Sequence, residues 1–401
     1  MRRLLLAGAV AAIAATALLA GGALRQGDEA AAAPTTRQLV RLGLRELDAA
    51  RRTGAPSHYS RSEAALEQAL ARSPEDVEAL VGLASLEASR HRFRESLVLA
   101  RRAQRLSPET AVTSAAVGDA LVELGRYAEA FRAFDRFAEV KPGLAAYSRI
   151  SYARELLGRT GPAIEAMRLA VDAAGDQGEP AAWTYTQLGK LSFSRGRLGA
   201  AAAEYRHALA ALPGYVHALD ALARVEAARG RLRRAIELER RAVEQAPLPQ
   251  FVGALGDLYR ADGRPGLARD QYRLVAAIDR LYAANGVATD LELALFNVDH
   301  GVRLRESLAR ARLAQQARPS IEADGVLAWA LARNGRCGEA RRFSQRALRL
   351  GTIDAGKFFQ RGMIERCLGH RAEARRWFRR ALRTNLHFSL RWAPVAKRAL
   401  R

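Results

Sequence analysis

The densest group of titratable side chains in the sequence is Asp290, Glu292, Asp299 and His300. Carboxylates beside a histidine are the material of a metal site or an acid–base pair. The spacing, however, fits no ligand motif. There is no His-Glu-x-x-His, no Gly-x-Ser-x-Gly, no glycine-rich phosphate loop and no paired-cysteine motif. The seven histidines (His58, His91, His207, His217, His300, His370 and His387) are scattered. Helix-end capping with solvated charge therefore outweighs an enzyme or metal-binding reading of the Asp290–His300 region. The expectation is a non-catalytic protein without cofactor or bound metal. Two cysteines, Cys337 and Cys367, are too few for a four-thiolate zinc module or a disulfide-dense scaffold.

Charge gives a second lead. The chain has 401 residues and a net charge of +22, from 64 basic and 42 acidic side chains. Only Lys141, Lys190, Lys357 and Lys397 are lysines; the rest are arginines. That skew, with abundant alanine, resembles the drift of a GC-rich genome, so part of the arginine excess carries no function. Its distribution is uneven all the same. Residues 302–401 hold 24 basic and 7 acidic side chains, a net of +17. Uniform drift does not concentrate charge in this way, so this end is a candidate surface for an acidic partner.

The elements that position these residues come from an internal repeat. Gly125, Gly158, Gly196, Gly230, Gly263, Gly301, Gly335 and Gly369 are separated by 33, 38, 34, 33, 38, 34 and 34 residues. Five residues beyond all but Gly301 stands an alanine: Ala130, Ala163, Ala201, Ala235, Ala268, Ala340 or Ala374. Pro74, Pro108 and Pro142 are 34 apart, as are Pro213 and Pro247. Within one unit, Trp183, Tyr185, Leu188 and Gly189 recur at helical spacing, Gly196-Arg197 interrupts, and Ala201, Tyr205 and Ala208 mark a second stripe. Pro213 ends that second helix. Such a hairpin cannot bury its stripe alone, so neighbours stack.

The 34-residue hairpin resembles the tetratricopeptide repeat (TPR) of bacterial proteins. Residues 111–142 carry the pattern best, with Gly118, Gly125-Arg126-Tyr127, Ala130, Phe134 and Pro142. Units starting near Val77, Ala182 and Val216 also match well, and weaker ones start near Leu144, Pro249, Ala288, Ile321 and Ala355. The resemblance implies an all-α, right-handed superhelical solenoid of about nine hairpins over residues 37–386. A subdivision is expected near 175–181 or 283–290, and a capping helix over 387–401. It also implies that a protein or peptide is bound along the concave face made by the first helices. Carried over position by position, the groove would present Asp119, Tyr152, Glu155, Trp183, Lys190, Phe193, His217, Asp220, Arg224, Asp257 and Arg260. A lysine–asparagine clamp for a peptide carboxylate is not expected, because Lys190 stands nearly alone.

Two features bear on compartment. Arg2 and Arg3 precede an uncharged run from Leu4 to Ala23, the layout of a cleaved export signal or, at 20 residues, of a membrane anchor. Residues 24–36 read as a linker. Either form places the remainder outside the cytoplasm. There, Cys337 and Cys367, on one edge of adjacent hairpins, form either a disulfide or two half-buried thiols. Arg375, Arg376, Arg379, Arg380 and Arg383 face outward from a helix whose Ala374, Phe378 and Ala381 face inward. An exported chain would meet anionic lipid or wall polymer with that face. Nucleic acid competes only if the chain is not exported.

Overall fold

The structure, a computed structural model, describes residues 33–401, of which Thr35–Arg401 form one compact unit. The expected export signal or anchor over residues 1–23, and nearly all of the linker, lie outside the described residues. Among the described residues there are 21 α-helices and no strand. Twenty form consecutive pairs: α1 (Thr36–Thr53) with α2 (Ser57–Arg72), α3 (Val77–Ser89) with α4 (Phe93–Leu106), α5 (Ala111–Glu123) with α6 (Tyr127–Val140), and α7 (Leu144–Leu156) with α8 (Thr160–Ala174). Next come α9 (Gly178–Ser194) with α10 (Leu198–Ala211), α11 (Val216–Ala228) with α12 (Leu232–Gln245), and α13 (Pro249–Ala261) with α14 (Pro265–Ala284). The last are α15 (Asp290–His300) with α16 (Leu304–Ala317), α17 (Ile321–Arg333) with α18 (Cys337–Ala347), and α19 (Ala355–Cys367) with α20 (Arg371–Thr384), followed by the short α21 (Ala393–Arg398). None of these helices is long and apolar enough to cross a membrane.

The α5–α6 pair shows why the sequence folds this way. Helix α5 stops because Gly125 takes a left-handed conformation, φ +71°, which is cheap for glycine. Its N–H reaches the Val122 carbonyl (3.0 Å), and the Arg126 N–H reaches that of Leu121 (2.9 Å), so the orphan carbonyls are satisfied. The two helices then close on a small residue facing a large one. A Cβ on Gly118 would lie 2.5 Å from the Phe134 ring, and one on Gly189 would lie 2.3 Å from Tyr205. Phe134 and Tyr205 are accordingly buried. Each contributes roughly 1.5–3 kcal/mol of apolar transfer.

The array also closes on itself. The turn inside each of the first five pairs sits on the junction that follows the pair five places further along. His91 Nδ1 meets the Ala288 carbonyl at 2.7 Å, across 197 residues of sequence. Tyr127 Oη accepts the Ile321 N–H (2.7 Å, 194 residues), and Thr352 Oγ1 donates to the Leu156 carbonyl (2.5 Å, 196 residues). Asn385 Nδ2 donates to the Phe193 carbonyl at 2.7 Å, 192 residues away. Tyr282 Oη donates to the Gly54 carbonyl at 3.0 Å. One superhelical turn thus takes between five and six pairs, and successive turns touch along a continuous seam.

Several expectations change here. The extra residues at 175–181 and 283–290 do not divide the array, and Thr35–Arg401 stays one unit. Gly175 and Gly178 (φ +75° and +79°) absorb the first insertion and start α9 at Gly178, ahead of the expected Ala182. The capping helix expected over 387–401 reduces to Ala393–Arg398. Asn385 leaves the helical ladder with φ −155°, its amide is spent on Phe193, and its Oδ1 accepts the His387 N–H (2.8 Å). Helix then resumes only at the Pro394 turn.

Candidate functional site

The seam converts the concave groove into a lumen holding two cavities. The larger, of about 800 Å³, is lined by residues of both superhelical turns, among them Phe193, Arg224, Glu239, Asp257, Tyr282, Phe296, Asp299, His300 and Phe388. The smaller, of about 300 Å³, is lined by Tyr152, Glu155, Phe193, Glu322, Asp354 and Phe388 among others. Phe193 and Phe388 wall both. The first helices α7, α9, α11, α13 and α15 supply one side, and the segment before α21 supplies Leu386 to Leu390.

The structure gathers Tyr152, Glu155, Phe193, Arg224 and Asp257 from the expected groove set onto these walls. Asp220 is buried behind them and accepts from Arg224 Nε at 3.1 Å. The others line neither cavity. Asp119 is clamped by the Arg149 guanidinium at 2.8 and 2.6 Å. Trp183 packs between helices with Ala182, Ala208 and Tyr215. His217 lies against the Tyr215 and Phe251 rings, at 5.4 and 5.5 Å. Arg260 is exposed. Burial, and then the Arg224 charge, hold the Lys190 amine below its ordinary pKa.

The charged side chains from Asp290 to His300 are held in hydrogen bonds and ion pairs. Asp299 Oδ1 accepts the indole N–H of Trp329 (2.8 Å) and of Trp392 (2.9 Å), tying α15 to α17 and to the C-terminal segment. Burial nevertheless pushes its carboxyl up. Asp257 Oδ1 receives His300 Nε2 (2.9 Å), Tyr272 Oη (2.7 Å) and Arg391 Nη2 (3.1 Å). Burial opposes its ionisation, but those donors outweigh burial and hold the group below the usual range. Glu292 pairs with Arg318 (2.7 Å) and Asp290 with Arg310 (3.1 Å). No group of three or more His, Cys, Asp or Glu among the described residues is arranged to hold a metal ion.

Glu239 escaped the sequence reading. It lies on a second helix, which the family pattern turns away from the groove, yet it lines the larger cavity. It is fully buried, its oxygens meet no N–H or hydroxyl donor, and its carboxyl shares a hydrogen bond with that of Asp220. Burial, and then the Asp220 charge, push its pKa well above the usual range. A trace of it was available. Nine residues past the turn glycine five other units hold Phe134, Met167, Tyr205, Tyr272 or Phe378, two hold Arg310 and Ser344, and here the residue is Glu. Its counterpart on the first helix is Ala223, where Phe134 and Tyr205 face Gly118 and Gly189.

On α20 the basic face is partly spent. Arg380 lies over the Phe358 and Trp377 rings (4.1 and 5.2 Å), Arg375 donates to the Leu400 carbonyl (3.0 Å), and Arg376 pairs with Glu373 (3.5 Å). Arg379 and Arg383 are exposed. Cys337 and Cys367 are joined as a disulfide with Cα atoms 6.1 Å apart, linking the start of α18 to the end of α19.

Fold and site define a solenoid of TPR-like helix pairs closed around a lumen. No protein-family model matches the sequence. No curated protein matches it either. Among solved structures, it is similar to YrrB, described as a TPR protein with an unusual peptide-binding site. That likeness has 18% identity and a TM-score of 0.32, over 47% of this chain and 95% of that one. It is similar to MamA at 17% identity and a TM-score of 0.33, over 43% of this chain and 92% of that one. A TPR protein from Parabacteroides merdae gives 13% identity and a TM-score of 0.43, over 62% of this chain and 98% of that one. Scores this low carry no argument about function.

Proposed function

We propose that the protein is a non-catalytic interaction scaffold that takes a peptide segment of a partner protein into its lumen. The observation that carries this reading is the pair of adjoining cavities between the two superhelical turns, walled by Phe193 and Phe388 and rimmed by charged groups. Aromatic area with a few convergent polar groups is the make-up of a recognition site. A photo-crosslinking residue at position 193 tests it, against one at position 234 on the outer face of α12. One stoichiometric adduct from position 193 alone is expected in native cells. Equal capture from both positions, or none from 193, overturns it. YrrB's description as a peptide-binding TPR protein is in keeping with this reading but adds no weight to it.

The scaffold is further proposed to work outside the cytoplasm, on the strength of Arg2, Arg3 and the run from Leu4 to Ala23. Cell fractionation with mass spectrometry of the N-terminus checks this. A soluble form starting near Leu18 or Leu24 means a cleaved signal, and an intact Met1 in the membrane fraction means an anchor. An intact chain in the cytoplasm refutes export.

A further inference from the structure

The segment between α20 and α21 lies against the lumen. Helix α20 ends at Thr384, and Leu386, His387, Phe388, Ser389 and Leu390 all line the larger cavity before α21 begins at Ala393. Both ends of this stretch are fastened to the first superhelical turn. Asn385 Nδ2 donates to the Phe193 carbonyl of α9 at 2.7 Å, and Arg391 Nη2 donates to Asp257 Oδ1 of α13 at 3.1 Å. Helix α11 comes between those two in the array, and its Arg224, Ala227 and Ala228 line the same cavity. The chain thus lays a short piece of itself from one first helix to the next but one. Leucine and phenylalanine side chains stand at the cavity, and a guanidinium closes one end.

The fit to the first turn is incomplete. Leu386 and Leu390 remain 54% and 39% exposed although they border a cavity of about 800 Å³. Arg391 Nε is buried with no hydrogen-bond partner among the described residues. Asp257 does not depend on Arg391, because His300 Nε2 and Tyr272 Oη reach the same oxygen at 2.9 and 2.7 Å. Among the described residues no backbone carbonyl accepts the N–H of Leu386, Phe388 or Leu390. Half-buried apolar side chains and an unpaired guanidinium nitrogen make a weak hold. The hold on the second turn is firmer: Phe388 packs on Phe359 at 5.6 Å, and the Trp392 indole donates to Asp299 at 2.9 Å. The side that faces α9 and α13 is the one that can be exchanged.

Resting on the peptide-binding reading above, we infer that residues 386–391 are the lumen's internal occupant, and that the partner segment replacing them on the first turn has the same chemistry. It carries bulky apolar side chains at alternate positions, followed by an arginine for Asp257. Apolar area supplies affinity, and the single charge fixes register. The internal copy acts at high effective concentration, so a free segment of equal quality displaces it poorly. A partner gains by filling the volume that Leu386 and Leu390 only border. Loosening the internal copy opens the site.

The test is fluorescence anisotropy of the full chain with a labelled eight-residue peptide that copies residues 385–392. Wild type should bind it weakly, because the site is filled from within. Arg391→Ala, which frees Asp257 and leaves Phe388 and Trp392 in place, should bind it at least tenfold tighter with unchanged circular dichroism. The same peptide with alanine for its arginine should lose that factor, and a scrambled peptide should not bind. If Arg391→Ala fails to fold, Asn385→Ala carries the comparison by removing the tie to Phe193. A variant that binds the peptide no tighter than wild type, or binds the scrambled one equally, overturns the internal occupant and leaves the segment as a part of the seam. A photo-crosslinking residue at position 193 separates that failure from failure of the lumen reading. Adducts in native cells should rise in yield with Arg391→Ala. Equal yields from wild type and Arg391→Ala overturn the internal occupant and leave the lumen reading standing, and no adduct from either overturns both.

Discussion

Gly125→Ala separates the stability of the hairpins from that of the seam. Gly125 sits at φ +71°, so any side chain there meets left-handed strain of about 1–2 kcal/mol. Gly230, at φ +77° in the equivalent turn of another pair, has nothing within 4 Å of an added Cβ. Gly230→Ala therefore reports the strain alone, reduced a little by the stiffer unfolded chain. At Gly125 the new Cβ falls 2.3 Å from the Pro319 carbonyl oxygen, where ordinary contact begins at 3.4 Å. The two superhelical turns must part there by about 1 Å. Two residues on, the Ile321 N–H to Tyr127 hydroxyl bond of 2.7 Å then passes out of reach and leaves a buried donor unpaired. That loss costs about 1–3 kcal/mol. Gly125→Ala should thus exceed Gly230→Ala by about 2 kcal/mol in urea denaturation followed by far-ultraviolet circular dichroism, at unchanged m-value. Two variants within about 0.5 kcal/mol of each other would mean that the seam carries no stability.

Other outcomes follow from the same geometry. Reducing Cys337–Cys367, which closes a 30-residue separation, should cost about 3–4 kcal/mol by loop entropy, read as a lower urea midpoint in reductant and reproduced by Cys367→Ser. Glu239 binds its proton more tightly folded than unfolded, so its stabilisation is full below the unfolded pKa and is lost as pH rises through the raised folded one. Glu239→Gln should match wild type in acid and exceed it at pH 8, and midpoints that run parallel across pH would contradict this. His91 holds φ +63° in a turn where glycine is the rule, offset by its hydrogen bond to Ala288. His91→Ala keeps the strain and loses the bond, so it should cost about 1 kcal/mol, while His91→Gly should come out near neutral.

The helix pairs were readable because their determinants are local. Glycine turns 33–38 residues apart and small residues opposite aromatic ones place the starts at Val77, Ala111, Leu144, Val216, Pro249, Ile321 and Ala355. The faces of the first helices followed, which is how Tyr152, Glu155, Phe193, Arg224 and Asp257 came to the lumen. The seam was not readable. It joins residues 192–228 apart through backbone groups and single side chains, none of which leaves a periodic trace. Trp183 and His217 line neither cavity, because a helix of a stacked pair is apolar on more than one side and a large ring serves packing as readily as a groove. Phe388 reaches the lumen, and Arg391 reaches Asp257, only because the expected terminal helix opens into turns at Asn385.

An open solenoid transmits stability only between neighbours and frays from either end. The seam changes that, because the first five pairs each also bear on a pair a full turn away. Closing a loop of 194 residues costs about 1.5 kcal/mol more than closing one of 34. The second turn therefore assembles late, on an edge already laid down by the first, and folding is slower than hairpin count alone would give. Under load the same arrangement behaves as a two-ply coil. Tension on the termini meets the row of seam bonds in shear before any single hairpin can peel away. Extension should begin with one abrupt loss of the seam, followed by the graded release of individual pairs.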